Sequence, residues 1–565
     1  MRHQSTYDFP EICRQHGVIR AVLCPGSRSA PLALALANHP AIRTLVIPDE
    51  RSAGFIALGM AQALQKPVIL ICTSGTAALE FAPAVAEAYY LHVPLLICTA
   101  DRPAEWIDQR DGQTIQQENL YGAHVKRFFS IPTDDTPDSN WSANRQMNEA
   151  IGVSQEYPMG PVHLNFPFRE PLYPTAKEKI TFGKPRIIRQ EPAQLSLGSD
   201  AARRLQKELG AFRRILVVGG PLSEPTPLKV AAGCPLPFLA EIVTNLHHLS
   251  QAIAHADLLF TTASEKTRQD LRPDLLITFG NGIISRQTRQ YLRAFPAKET
   301  WHIQEAGIVA DTFQNLTRVI RTTPGTFFQW ASRLKYHKSQ ADYFNRWRDA
   351  GRIIRQRALK ILGNSSGEAG LVNEVITRLP AGSTLHLANS MSVRYAMMTG
   401  LKTSQRSVRV FSNRGTSGID GCSSTAVGHA IVHSGLHILI TGDVAFFYDR
   451  NAFWHTYRIP NLRIVLLNNG GGQIFGLIDG PKDRPERDEY FVGTQQLRAD
   501  SICREYGFQH TALTPEDTNR YETVTSFLRP GKQTRVLEFI GTPEEDKEFL
   551  KLLHQQLKEE HGQQS

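Results

Sequence analysis

The sequence predicts an α/β protein made of three doubly wound parallel-sheet domains. Three observations carry that prediction. Short apolar runs recur along the chain and stop abruptly at Gly, Asp, Asn or Pro, as strands buried on both faces do where they emerge into a loop. Helical stretches follow these runs at regular spacing, as in the strand–turn–helix units that wind a parallel sheet. At 565 residues the chain has room for three domains of ordinary size.

The first domain is expected over 1–174. From Ile19 a strand ends at Pro25-Gly26-Ser27-Arg28-Ser29, and an Ala/Leu helix follows with Pro31 in its first turn. Ser27 or Ser29 suits the N-cap. An arginine at that helix start is either solvated or part of a carboxylate site. A second strand, Thr44 to Ile47, ends at Pro48-Asp49-Glu50-Arg51 before another helix. Glu50 thus stands at the carboxyl edge of the sheet, where open α/β sheets bind ligands, although an acid that merely starts a helix is also ordinary. The scheme repeats in PVILICTSGTAALE and VPLLICTADRP, and VHLNFPF is the last strand.

A polar, Pro-containing connection spans 175–210, and the second domain is expected over 190–350. RRILVVGGPLSEP reads as a strand and tight turn without a nucleotide, because the G-x-G-x-x-G spacing is missing. PDLLITFGNGIISRQTRQYL is a further strand–loop–helix with Arg286 near the helix start. Residues 331–365 form a charged helical bridge with a solvated basic face.

The third domain is expected over 366–565. One strand ends at Asn389-Ser390 ahead of Arg394, and another at Ser412-Asn413-Arg414-Gly415. Next come two apolar runs, His437 to Ile440 and Ile464 to Leu467. The first breaks at Thr441-Gly442-Asp443, the second at Asn468-Asn469 and three glycines. Asn451 to Tyr457 is long enough for a crossover helix, and a right-handed crossover puts both strand ends at one sheet edge. A carboxylate and a carboxamide beside a glycine turn are hard oxygen donors of the kind Mg²⁺ uses with substrate phosphates. Gly-Asp and Asn-Asn-Gly are equally ordinary turn chemistry when taken singly. TRVLEFIG closes the sheet, and a charged amphipathic helix ends in Gln and Ser.

Composition excludes several classes. Hydrophobic residues make up 41% and charged residues 21%, with no low-complexity tract. No apolar run approaches a bilayer span, and residues 1–15 lack the apolar core of a signal peptide, so a cytoplasmic protein is expected. The seven cysteines are scattered and form no C-x-x-C, which predicts buried free thiols. The net charge of +9, from 63 Lys+Arg against 54 Asp+Glu, comes without a basic run or an aromatic–basic platform. Small anionic substrates therefore explain it better than nucleic acid.

The Gly-Asp that opens a stretch closed by Asn-Asn resembles the diphosphate–metal signature of thiamine diphosphate (ThDP) enzymes, with Val444 where the family usually has Gly. That family places a pyrimidine-binding domain first and a diphosphate-binding domain third, with a central domain between them. CPGSRSAPL, IPDERSAGFIALGMA, TSGTA, TADRP, NSMSVR, SNRGTSGIDG and NNGGGQIFGLI are similar to its menaquinone-pathway members, strongly over 19–120 and 383–480.

The resemblance implies a transferase that decarboxylates 2-oxoglutarate and adds the succinyl carbanion to isochorismate in a 1,4 fashion. It implies a homodimer, or a dimer of dimers, with cofactor between the first domain of one subunit and the third of its partner. Glu50 would hydrogen-bond the aminopyrimidine ring and favour its imino tautomer, the cofactor itself carrying the hard step. Asp443, Asn469 and a carbonyl near Gly471 would hold Mg²⁺ (or Mn²⁺). Gly75 and Gly442 would also contact the cofactor, and Ile419 would keep it bent, a task suited to a stiff β-branched side chain. Ser27, Arg28, Arg102, Gln113, Arg286, Ser390, Arg394 and Arg414 would face substrate, since guanidinium groups bind carboxylates bidentately. Arg28 and Arg102 suit isochorismate, Ser390 and Arg394 the succinyl carboxylate, and Ile474 and Phe475 an apolar wall.

Two positions depart from the family pattern. Arg286-Gln287 replaces a Lys-Arg pair, and Gly112 replaces an Asn. Two alternatives stay open at this point. One is another ThDP enzyme, such as a 2-oxoacid decarboxylase or an acetolactate synthase. The other is a non-catalytic paralogue that binds ThDP or anions.

Overall fold

The computed structural model describes residues 3–175, 178–191, 193, 195–222, 228–476 and 480–562. Parts of three strings singled out above lie outside the described residues: 223–225, 477–478 and the tail 563–565.

Three six-stranded sheets are present, and every recorded register is parallel. The first contains β1 (Arg20–Leu23), β2 (Arg43–Val46), β3 (Val68–Cys72), β4 (Leu95–Asp101), β5 (Phe128–Ser130) and β6 (Val162–Pro167), in the order β2-β1-β3-β4-β6-β5. The second contains β7 (Ile215–Gly219), β8 (Phe238–Ala240), β9 (Ala252–Ile253), β10 (Leu275–Phe279), β11 (Glu299–Ile303) and β12 (Arg318–Ile320), in the order β12-β11-β10-β7-β8-β9. The third contains β13 (Thr384–Leu387), β14 (Arg409–Phe411), β15 (His437–Gly442), β16 (Leu462–Asn468), β17 (Gln509–Leu513) and β18 (Arg535–Ile540), in the order β14-β13-β15-β16-β18-β17. The uninterrupted apolar runs become the central strands: β3, β4 and β16 are buried along their whole length, with helices on both faces of the sheets.

The chain divides into two compact units. One comprises Met1–Pro192, Asn413–Ser434 and Ala445–Leu462, and so holds the first sheet. The other comprises Ala193–Ser412, Gly435–Val444 and Arg463–Ser565, and holds the second and third sheets. In the first unit the Glu50–Leu64 helix lies directly on the Cys422–Val432 helix. A side-chain carbon on Gly59 would sit 2.1 Å from the Thr425 carbonyl oxygen, and one on Gly428 would sit 2.1 Å from that of Ile56. Reciprocal glycines therefore let the two backbones touch.

Several expectations are corrected. The crossover helix between β15 and β16 starts at Asp443 itself and runs to Tyr448, followed by a 3₁₀ turn over Arg450–Phe453. The carboxylate complements the helix N-terminus, which draws the helix forward from Asn451–Tyr457. Ser29 does occupy the N-cap of the helix Ala30–Asn38, but its side chain makes no capping bond. The Ser29 hydroxyl donates to the Gly26 carbonyl at 3.1 Å, and Ser27 meets the Tyr173 hydroxyl at 3.1 Å. β18 is the last strand in the chain but lies inside the third sheet. The edge is β17, whose half-exposed QHTAL offers no apolar run to read. The charged bridge is a single helix, Lys338–Gly363. All seven cysteines are free and buried, as expected. Among the described residues no helix is long and apolar enough to cross a membrane.

Candidate active site

In the first unit the segments that follow β1 to β4 carry Ser27, Arg28, Glu50, Gly75, Arg102 and Gln113. Glu50 is the first residue of its helix. Asp49 fixes that start: one carboxylate oxygen accepts the Ser52 N–H at 2.8 Å and the other the Asn451 side-chain amide at 2.7 Å. Burial pushes the Glu50 carboxyl above the usual carboxylate range, with the Asp49 and Glu80 charges adding to it and its own backbone N–H opposing.

Gly75 follows β3 with φ +88° and donates its N–H to Gln117 at 2.9 Å. Gln117 in turn donates to the Ala100 carbonyl and to Asn165, and Asn165 donates to Asp101 at 2.8 Å. A buried amide and carboxylate network thus underlies the ends of β3 and β4. The backbone of Gln113, itself at φ 56°, comes within 3.3 Å of where a side chain on Gly75 would start.

Arg28 and Arg102 are close enough to depress the Arg28 guanidinium, although burial is the larger cause. Arg28 is 8% exposed and donates to the Phe168 carbonyl and to Glu170, while its Nε has no hydrogen-bond partner among the described residues. Arg102 donates to Asp111 at 2.8 Å, to Ser74 at 3.2 Å and to the Gly112 carbonyl at 2.7 Å. Two neighbouring cations at a strand edge are complementary to a dianion. Arg414 and Ile419 lie on the loop before the Cys422–Val432 helix, and Ile419 is 37% exposed, high for an isoleucine.

The second unit brings Gly442, Asp443, Asn469 and Gly471 together at the ends of β15 and β16. Asp443 is only 2% exposed. It accepts the Gln495 amide at 2.6 Å and the Val444 N–H at 2.8 Å. Burial pushes its carboxyl up, and Gln495 with the N–H groups of Val444, Gly471 and Gly470 pull it back. Gln495 also reaches Asn468 at 3.3 Å, and Asn468 donates to Glu538 at 2.7 Å. Asn469 follows half-buried. Gly471 has φ +146°, and a side-chain carbon there would meet the Val492 carbonyl oxygen at 2.9 Å, so the turn requires glycine. A buried carboxylate and a carboxamide beside a close glycine turn fit a small hard cation that carries phosphate.

Ser390 holds φ 68° and ψ −130°, strained for a residue with a side chain, and its carbonyl accepts from Arg394 at 2.6 Å. Burial lowers the Arg394 guanidinium and Asp257 raises it. Phe475 packs on Phe491 with ring centroids 6.0 Å apart, and Ile474 is half-buried in the same 3₁₀ turn. Arg286 opens the Arg286–Ala294 helix and is exposed. Sequence reasoning missed Gln495, Gln117 and Glu87. Each is a lone polar residue outside any motif, and only its hydrogen bonds reveal it.

Two family models bear on this arrangement. Residues 8–127 match the N-terminal TPP binding domain of thiamine pyrophosphate enzymes, and residues 207–387 match the thiamine pyrophosphate middle domain. Fold and domain content together define a thiamine pyrophosphate enzyme. The chain is 43% identical over 561 residues to the 2-succinyl-5-enolpyruvyl-6-hydroxy-3-cyclohexene-1-carboxylate synthase of Cytophaga hutchinsonii, covering 98% of this chain and 99% of that one. It is 35% identical to the Bacteroides fragilis synthase (97% and 98% covered) and 37% identical to that of Porphyromonas gingivalis (94% and 93%). The chain belongs to this synthase family.

Proposed function

We propose that this protein is a ThDP- and metal-dependent transferase of menaquinone biosynthesis. It decarboxylates 2-oxoglutarate and adds the succinyl unit to isochorismate. The observation that carries this reading is similarity over nearly the full chain to synthases of that name, 43% in one case. The paired cations Arg28 and Arg102, and Arg394 beside the strained Ser390, support dicarboxylate substrates. The expected domains are 1–174, 190–350 and 366–565, and the protein acts as a cytoplasmic homodimer.

ThDP, when bound, supplies a carbanion-stabilising centre. The residues around it bind, orient and move protons. Glu50, with its carboxyl raised by burial, is suited to share a proton with a ring nitrogen. Asp443, Asn469 and the Gly471 carbonyl hold Mg²⁺ or Mn²⁺, and Gln495 orients Asp443. Gly75 and Gly442 let the backbone approach the cofactor, and Ile419 packs on it. Ser27, Arg28, Arg102, Gln113, Arg286 and Arg414 orient isochorismate or the intermediate. Ser390 and Arg394 hold the succinyl carboxylate, and Ile474 and Phe475 exclude water.

The test mixes the protein with ThDP, Mg²⁺ and 2-oxoglutarate, with and without isochorismate, and follows isochorismate loss and CO₂ release. Isochorismate loss that requires every component is expected. CO₂ release without isochorismate loss would make the protein a plain decarboxylase. Cofactor binding with no turnover would make it a non-catalytic binder.

A further inference from the structure

The helix Ala82–Leu91 carries none of the predicted site residues, yet its Glu87 side chain is buried in an unusual way. The residue is 1% exposed and, among the described residues, forms no ion pair. One carboxylate oxygen accepts the Gly415 N–H at 2.8 Å. The other accepts the Thr416 N–H at 2.7 Å and the Thr416 hydroxyl at 2.6 Å. A buried charge without a cation is costly, and these three donors are what compensates it. Burial pushes the carboxyl up and the same donors pull it down.

The loop also lies against the helix backbone. A side-chain carbon on Gly415 would sit 2.7 Å from the Glu87 carbonyl oxygen and 3.1 Å from the Leu91 nitrogen. Glycine at 415 therefore lets the loop approach, and the carboxylate fastens it. The far end is held by a second buried carboxylate: Asp449 accepts the Ser424 N–H and hydroxyl, both at 2.7 Å, and caps the Cys422–Val432 helix. Between the two anchors lies Ile419, and Arg414 immediately precedes the first.

We propose that Glu87 is a positioning residue, whose carboxylate sets the backbone of the 414–419 loop and thereby aims the Arg414 guanidinium at a substrate carboxylate. This rests on the functional reading above, in which Arg414 faces substrate.

The test is a double-mutant cycle joined to amide exchange. Glu87→Gln keeps the shape but turns an amide NH₂ toward one of the loop N–H groups. The expected result is a rise of about tenfold or more in KM for one of the two dicarboxylates, the size set by losing a charge-assisted hydrogen bond, with kcat within about threefold. Amides of 413–421 should exchange correspondingly faster. In an Arg414→Ala background, Glu87→Gln should add no further rise, because both changes act through one group. Thr416→Val removes only the hydroxyl bond and should raise KM by about two- to threefold. An unchanged KM in Glu87→Gln, or a full additional rise in the Arg414→Ala background, overturns the proposal. If the wild-type protein does not consume isochorismate, the functional reading fails by itself. Amide exchange then still decides the clamp: faster exchange in Glu87→Gln supports it, and unchanged exchange overturns it.

Discussion

The first and third sheets are wound alike but carry different chemistry at matching strand ends. β2-β1-β3-β4-β6-β5 and β14-β13-β15-β16-β18-β17 are the same order, displaced by twelve strands along the chain. β3 leads to Gly75, where its counterpart β15 leads to Asp443. β4 leads to Arg102, where β16 ends at Asn468 beside Asn469. β2 leads to Glu50, where β14 leads to Arg414. The first sheet thus presents the raised Glu50 carboxyl with Arg28 and Arg102. The third presents the buried Asp443 carboxylate beside Asn469, with Arg414 beyond β14. Winding sets where a strand end lies, and one or two residues beyond it set what that end can bind.

The sharpest way to break this comparison is to swap function at one end of each sheet. Glu50→Gln should cut turnover by about 10²–10⁴-fold, the range typical of a positioned proton-transfer group, while ThDP and Mg²⁺ still bind. Surviving turnover, measured as isochorismate consumption, would remove Glu50 from the chemistry. Asp443→Ala should instead abolish metal-dependent cofactor binding, followed by calorimetry across a Mg²⁺ series. Gln495→Ala should weaken that binding by about 10–100-fold, as loss of a partner behind a ligand does. Equal metal affinity in all three proteins would place the metal elsewhere.

Two smaller effects concern what holds the first unit together. Burial pushes the Asp449 carboxyl up to about 7, and its bonds from Ser424 do not cancel that. An unfolded aspartate titrates near 3.9. Between about pH 4 and pH 7 the folded protein thus keeps a proton that the unfolded chain has released, so stability falls as pH rises through that window and the loss is complete above about 7. A gap of about three pH units corresponds to roughly 4 kcal/mol as an upper bound. Asp449→Asn should flatten that slope in urea titrations at pH 5 and pH 8, and parallel slopes would show that Asp449 is already charged at pH 5. Gly59→Ala should destabilise by about 1–3 kcal/mol through overpacking against Thr425. Alanine is the better helix former by about 1 kcal/mol, so a gain in melting temperature would deny the backbone contact.

Much of the architecture was legible in the sequence, because strands buried on both faces need continuous apolar residues and their ends need turn chemistry. β1, β3, β4, β10, β15 and β16 are of that kind. The edge strands β5, β12 and β17 are short or half-exposed and leave no such trace. The crossover helix was misplaced for a related reason, since Val444 to Tyr448 reads equally as the end of an apolar run. In the site, Asp443 and Gly471 could be picked out from their local strings. Gln495 lies 52 residues from Asp443, and Glu87 lies 328 residues from Gly415, so no local pattern joins either pair.

By itself the sequence determined the α/β class, the strand ends that bear chemistry and the resemblance that points to ThDP. These are written in local spacing and in residue types that only a few backbone conformations accept. The tertiary structure alone decided which carboxylates are buried, which side chains hold them and where two backbones touch. Burial and hydrogen bonding across hundreds of residues follow from packing, and packing brings together side chains that no local pattern relates.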